Sequence, residues 1–217
     1  MIPWIIATRS TGKLLELVPL FRARGIEVIG LDVAGIPESP DEASIEVFTT
    51  FEENARAKAA YFARLTGRPC LADDSGLCIE ALDGGPGVRS RRIACDLGYT
   101  IDVRGEDAAN NEAVLDACWN SGWAPPWRAY YACAAAYADA TETVHVTSGR
   151  TDGAVQSDHS GDGGFGYDPY FVSDDLGLSF GLASREEKSR VSHRARAFTA
   201  LVDALQHTLV GLQHTRR

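Results

Sequence analysis

The chain has 217 residues, 45% of them hydrophobic and 24% charged, with a formal net charge of −9. That balance fits an ordinary globular protein with room for a sizeable core. The acidic excess argues against a general nucleic-acid or membrane-surface binder, which would carry a basic footprint, but it is compatible with a small anion held by a few lysines and a metal.

In chain order, Trp4 to Ala7 reads as a β-rich run and Thr8 to Gly12 as a polar turn. Lys13 to Arg24 carries Leu14, Leu15, Val18, Leu20 and Phe21 at helical spacing, and Gly25 ends it. Ile26 to Leu31 reads as a strand and Asp32 to Ser44 as an acidic, Pro-containing loop. Phe51 to Leu65 reads as a helix, closed by Gly67 and Pro69. Cys70 to Asp73 and Leu77 to Ala81 read as two extended runs, and Asp83 to Gly87 as a loop. A helix is expected over Ala108 to Cys118. Trp127 to Tyr137 and Thr141 to Thr147 are expected to pair as strands around Asp139. Thr151 to Gly166 is Gly-rich, and Tyr170 to Val172 is a short strand. Two helices close the chain, one capped by Ser184 with Glu187 and one from Ser192 to about Leu212. The mixture predicts an α/β protein.

The N-terminal Met-Ile-Pro-Trp enters a strand at once, without a signal-like basic region, and no run reaches transmembrane length. A cytoplasmic location is expected. The five cysteines, Cys70, Cys78, Cys95, Cys118 and Cys133, form no C-x-x-C pair and read as mostly buried free thiols in a reducing compartment.

Two phosphate motifs fail. Before Gly12-Lys13 a P-loop would need Gly where Ala7 stands and Ser or Thr where Leu14 stands. Gly161 to Gly166 matches G-x-G-x-x-G but leads into Tyr167-Asp168-Pro169 instead of opening a helix after a strand.

Other groupings carry chemistry. Asp73 and Asp74 end a buried strand, where a carboxylate needs a cation or a proton donor. Hard oxygen ligands suit a divalent metal; a plain strand end turning into solvent is the competing reading. The turn Thr8-Arg9-Ser10-Thr11-Gly12-Lys13 opens a helix, where N–H groups and the dipole favour phosphate, although a simple N-cap by Ser10 or Thr11 explains it as well. Asn54 and Lys58 share one helix face, with Lys58 able to reach a phosphate or to stay solvated. Phe165 can stack on a base and Asp168 can accept from a base N–H, although a Gly-rich turn with a buried Phe explains them as well. Lys188, His193 and Arg194 add donors at a helix start that suit purine carbonyl oxygens, and a helix-start histidine in solvent is the competing reading for His193.

Taken in order, the Gly-Lys turn at Thr8, Phe-Glu-Glu-Asn-Ala-x-x-Lys at Phe51, Ala-Asp-Asp-Ser-Gly-Leu at Ala72, Gly-Gly-Pro-Gly-Val-x-Ser at Gly84, Gly-Gly-Phe-Gly-Tyr-Asp-Pro at Gly163 and Glu-Glu-Lys-Ser-x-x-Ser-His-Arg at Glu186 resemble the inosine triphosphate pyrophosphatase family. The resemblance spans about Ile5 to Leu205. It implies hydrolysis of deaminated purine nucleoside triphosphates (ITP, dITP, XTP) to monophosphate and pyrophosphate, with Mg²⁺. It also implies a long mixed sheet flanked by helices, a single domain of two lobes around a cleft over residues 1–217, and a homodimer.

By that resemblance Asp74 is the catalytic carboxylate, with Asp73 beside it. Thr8, Ser10, Lys13, Asn54, Lys58 and Ser75 contact substrate, and Phe165, Gly166, Tyr167 and Asp168 form the base-binding segment. Lys188, His193 and Arg194 read the 6-keto purine, and Asp74 with Glu46 holds the metal. Three departures stand out. Ser10 replaces an Asn. The acidic run before Phe51 is altered, so that Glu46 is the first choice and Glu38 and Glu42 the reserves. Residues 93–104 look like an insertion of about ten residues, of the kind that can act as a lid. The alternatives are a related enzyme retuned to a modified purine nucleotide, or a non-catalytic nucleotide-binding protein.

Overall fold

The computed structural model describes residues 2–141 and 144–214, with 207–214 by backbone alone. Strand β1 (Trp4–Ile6) is short and buried, and the chain leaves it through a turn in which Thr8 Oγ1 accepts from Ser10 N at 3.1 Å. Helix α1 (Thr11–Arg22) starts two residues before the apolar periodicity because Ser10 caps it, accepting from Lys13 N at 3.3 Å. Strand β2 (Val28–Gly30) is shorter than its apolar run. The acidic loop contains a 3₁₀ turn, Pro40–Ser44, closed by a reciprocal Ser39–Glu42 cap.

Helix α2 (Phe51–Thr66) is capped by Thr50 and ends at Gly67, whose left-handed φ of 64° suits a residue without Cβ. It buries Asn54, Ala55, Ala59, Phe62 and Ala63. The two extended runs that follow are one strand, β3 (Cys70–Ile79), so Asp73 and Asp74 lie within a strand and not at its end. Asp, Ser and Gly disfavour strands, which is why the sequence suggests a break. Tertiary partners override that preference. One reason is visible at Gly76, where an added Cβ would strike the Gly87 carbonyl and the Ser90 hydroxyl. Ser90 Oγ accepts from Leu77 N at 2.8 Å, so Ser90 and the glycine together fasten the strand to the 84–90 loop.

The apparent insertion holds a short helix, α3 (Ile93–Asp96), and is tied to α4 (Glu106–Asn120) by Asn110. That side chain accepts from Ala94 N at 3.0 Å and donates to Arg91 O at 2.9 Å. Strands β4 (Trp127–Ala138) and β5 (Val144–Val155) follow, β5 running well into the Gly-rich stretch. Gly153 is needed there, since a Cβ would meet Val172 O and the Phe171 ring of β6 (Phe171–Ser173). Helix α5 (Arg185–Val191) carries the expected Ser184–Glu187 capping box, and α6 (His193–His214) ends the described chain.

The six strands run in the order β2-β1-β3-β4-β5-β6. β1 is parallel to β2 and β3, and β5 is antiparallel to β6. The sheet is therefore mixed, and the fold is α/β. Residues divide into two compact units. The first comprises residues 1–74, 133–149 and 194–217, with cores around Ile5, Ala55, Phe62 and Ala136 and around Leu17, Phe21, Leu71 and Phe198. The second comprises 75–132 and 150–193, with a core around Leu77, Val114, Trp127, Tyr131, Phe171 and Phe180. No helix among the described residues is long and apolar enough to cross a membrane. Cys70, Cys78, Cys118 and Cys133 are buried free thiols, as expected, whereas Cys95 is exposed.

Candidate active site

In the first unit, β3 delivers Asp73 into the interior at 1% exposure. Its Oδ2 receives Lys13 Nζ at 3.0 Å from the first turn of α1 and Arg194 Nε at 3.1 Å from the first turn of α6. The Cys133 thiol on β4 lies 4.0 Å away. Burial alone would raise the Asp73 carboxyl, but Lys13, Arg194 and Lys58 outweigh it and hold the group far below the ordinary carboxylate range. Arg194 is itself buried, and its Nη1 pairs with Glu16 on α1. Asp73 is thus a charged counter-ion that fixes where Lys13 and Arg194 sit.

The next residue has the opposite fate. Burial pushes the Asp74 carboxyl up; Lys58 opposes this and Glu46 adds to it, leaving the group above its ordinary value. Lys58 on α2 pairs with Glu46. Burial would lower the Lys58 ammonium and raise the Glu46 carboxyl, yet each keeps the other charged. Asn54, one helical turn before Lys58, is fully buried and joins these parts. Its Oδ1 accepts from Phe48 N at 2.9 Å, and its Nδ2 donates to Phe48 O at 3.2 Å and to Asp74 Oδ2 at 2.9 Å. One amide therefore ties the Glu46 loop to the Asp74 strand. Among the acidic candidates, Glu42 is taken by Arg9, and Glu46 is the one beside Lys58 and Asp74. No group of three or more His, Cys, Asp or Glu suited to a metal occurs among the described residues. The pair Asp74–Glu46 would leave most coordination positions to other ligands.

In the second unit, Asp168 and Lys188 form a buried pair, Nζ to Oδ2 at 2.6 Å, with Lys188 only 7% exposed. The same Oδ2 accepts from Phe165 N at 2.8 Å, and the ammonium lies 4.8 Å from the Phe165 ring centroid. Gly164 can carry no side chain here, because a Cβ would overlap Asp168. Helix α4 fixes the next residue: Gly166 N donates to Asp107 Oδ2 at 2.8 Å, and Asn111 Nδ2 donates to Gly166 O at 3.1 Å. Phe165, Gly166, Asp107 and Asn111 help to line a cavity of about 610 Å³. His193 stacks on Tyr131, centroids 4.6 Å apart and planes 11° from parallel.

Lys13, Lys58, Asp73, Asp74, Glu46 and Asn54 thus come together as sequence reasoning groups them, and so do Phe165, Asp168 and Lys188. Four residues take different places. Arg194, grouped with Lys188 and His193, belongs to the Asp73 cluster, because successive residues of a helix project about 100° apart. Tyr167 is a buried tether donating to Ser90 O. Thr8 and Ser10 both serve the local turn. Ser75 follows Asp74 on β3 and is half-buried. Glu16, Asp107 and Asn111 were missed. Glu16 stands one turn after Lys13 and could have been found from that spacing. Nothing in the sequence marks the other two.

The arrangement defines an α/β protein whose lysines face a carboxylate cluster, with an aromatic and polar pocket built on a Gly-rich segment. Among proteins of known sequence, the dITP/XTP pyrophosphatase of Ralstonia nicotianae is 40% identical over 205 residues, covering 93% of this chain and 96% of its own. That of Streptomyces coelicolor is 38% identical over 208 residues, covering 94% and 98%. The structure of a HAM1 protein from Coxiella burnetii matches with a TM-score of 0.79 at 31% identity, over 95% of this chain and all of that one. Residues 4–204 match the Ham1 family, and the chain belongs to it.

Proposed function

We propose that the protein is a Mg²⁺-dependent hydrolase that cleaves ITP, dITP and XTP to the nucleoside monophosphate and pyrophosphate. The observation that carries this reading is the division between two neighbouring carboxylates on β3: Asp73 is bound by Lys13 and Arg194 and held far below its ordinary range, whereas Asp74 takes the Asn54 amide, lies near Lys58 and Glu46, and is raised. Titratable neighbours pushed apart in this way take separate roles. Asp73 stays ionised and positions Lys13, which with Lys58 neutralises the triphosphate. Asp74, nearer to an operating pH, orients the attacking water and accepts its proton as the water oxygen bonds to the α-phosphorus and pyrophosphate leaves. The relatives named dITP/XTP pyrophosphatase support the same substrate class.

Asp74 and Glu46 fit a divalent cation on their chemistry. Both are hard oxygen donors, Glu46 raises the cost of ionising Asp74, and Mg²⁺ commonly takes one or two carboxylates and completes its shell with phosphate oxygens and water. When bound, Mg²⁺ supplies further charge neutralisation at the phosphates. Phe165 stacks on the base while the Asp168–Lys188 pair and His193 read its edge. A keto oxygen at purine C6 accepts where the adenine amino group donates, so a site offering donors there favours inosine and xanthosine.

Product analysis with ITP and Mg²⁺ tests the reading. IMP and pyrophosphate in equal amounts are expected; orthophosphate without pyrophosphate, or no turnover of any purine triphosphate, overturns it. A panel of modified purine triphosphates then ranks substrates. We propose further that residues 1–217 work as one two-lobed domain in a cytoplasmic homodimer. Light scattering should give about twice the chain mass of 23.4 kDa, and the monomer mass would remove the dimer.

A further inference from the structure

Arg9 lies between Thr8 and Ser10 in the turn before α1, yet it points to the acidic loop. Its Nη1 donates to Ile36 O at 2.8 Å and to Asp32 Oδ1 at 3.0 Å. Its Nη2 donates to Glu42 Oε1 at 2.7 Å and to Pro37 O at 3.0 Å, and its Nε reaches Glu42 Oε2 at 3.4 Å. A guanidinium has five N–H donors, and all five find acceptors here. None is left for a phosphate, although the neighbouring residues belong to a turn suited to one.

The acceptors lie in the loop that leads to Glu46. Glu42 Oε1 also accepts from Ser39 N at 3.2 Å, closing the cap of the 3₁₀ turn. That turn ends at Ile45, a buried core residue whose N–H donates to Glu42 O at 3.1 Å. Glu46 comes next, and on its far side Asn54 grips both backbone groups of Phe48. Glu46 is therefore suspended between two anchors, Arg9 before it and Asn54 after it. We propose that Arg9 is a positioning residue that holds residues 32–45 against the first βα turn, sets the place of Glu46, and so sets the affinity for the divalent cation. This rests on Glu46 being a metal ligand as argued above. Lysine cannot replace Arg9, because one ammonium cannot span two carbonyls and two carboxylates in a planar fork.

The test uses the full chain with Arg9→Lys, Arg9→Ala and the milder Glu42→Gln, which removes charge from the staple if the first two fold poorly. Hydrogen exchange in metal-free protein should speed up selectively over 36–48, while β1 and β3 keep wild-type protection. Mn²⁺ affinity, followed by the electron resonance of the free ion, should weaken about tenfold, the low end for loss of a group that orients a metal ligand. Arg9→Lys should not restore it. Exchange over 36–48 and Mn²⁺ affinity both unchanged would overturn the proposal, as would a uniform rise in exchange with unchanged affinity. A wild-type enzyme that fails to hydrolyse ITP sinks the functional reading instead. An active wild type whose Arg9 and Glu42 variants bind Mn²⁺ normally sinks only the role given to Arg9.

Discussion

Around Asp73 in the first unit, one carboxylate oxygen meets cations from two helices whose residues lie far apart in the chain, and one of those cations is itself held by Glu16. Around Asp168 in the second unit, one carboxylate oxygen meets a lysine and the Phe165 N–H, beside a glycine that leaves room for it. The first arrangement gathers several charges and depends on their mutual balance. The second fixes the shape of a short loop under an aromatic ring and depends on close backbone approach. The two should therefore fail differently when a residue is removed.

The largest expected effect is in the first region. Asp73→Ala leaves Lys13 and Arg194 facing each other without their shared counter-ion, and breaking such a buried set costs about 3–5 kcal/mol. Urea denaturation at pH 7 measures it; a loss below about 1 kcal/mol, the range of an exposed pair, would show that the cluster is solvated. The sign with pH follows from the direction of the shift. The folded-state Asp73 is more acidic than in the unfolded chain, so its contribution is complete above the ordinary carboxylate range near pH 4 and disappears as pH falls below it. The stability gap between wild type and Asp73→Asn should narrow on acidification below about pH 4.

Asp74→Asn comes next and sharpens the contrast within one strand. Turnover of ITP should fall at least about a hundredfold, the low end for loss of a general base, with nucleotide binding by calorimetry largely kept. The stability sign is reversed. The folded-state Asp74 is less acidic than in the unfolded chain, so what it contributes is present when protonated and is lost as pH rises through its raised value. In metal-free buffer at pH 8 the asparagine variant should melt at or above the wild-type temperature. A clear drop would mean that Asp74 is a structural counter-ion like its neighbour.

How far these regions were legible follows the same division. The helices announced themselves through apolar spacing and caps, as at Thr50 to Gly67 and at Ser184 with Glu187. The contiguous motifs marked Asp73, Asp74, Lys58 and the 163–168 segment. The continuity of β3 was not legible, because Asp, Ser and Gly read as a break and only Gly87, Ser90 and Asn54, distant in sequence, show why the strand continues. Nor was the link of Glu16 to Arg194, 178 residues apart, since a long-range ion pair leaves no local pattern. Glu46 was reachable as a candidate, but its choice over Glu38 and Glu42 needed the positions of Lys58 and Arg9.

The smallest expected effect separates the two regions by substrate choice. Lys188 lies beside Phe165 in the second unit, whereas Arg194, only six positions on, is locked to Asp73 and Glu16 in the first. Lys188→Met removes the buried donor paired with Asp168 beside the Phe165 ring, the residues proposed to contact the base. A keto purine should then lose about tenfold in kcat/KM relative to ATP, the scale of one unmade hydrogen bond to a charged group. Arg194→Ala should lower stability and kcat/KM for both nucleotides together, leaving the ITP to ATP ratio within about twofold, because an interaction shared by both substrates cancels in the ratio. Taking the ratio removes any general loss of folded enzyme from the comparison. If Arg194→Ala shifts the ratio and Lys188→Met does not, the base is read from the α6 side of the Asp73 cluster, and the division between a phosphate region and a base region drawn here is wrong.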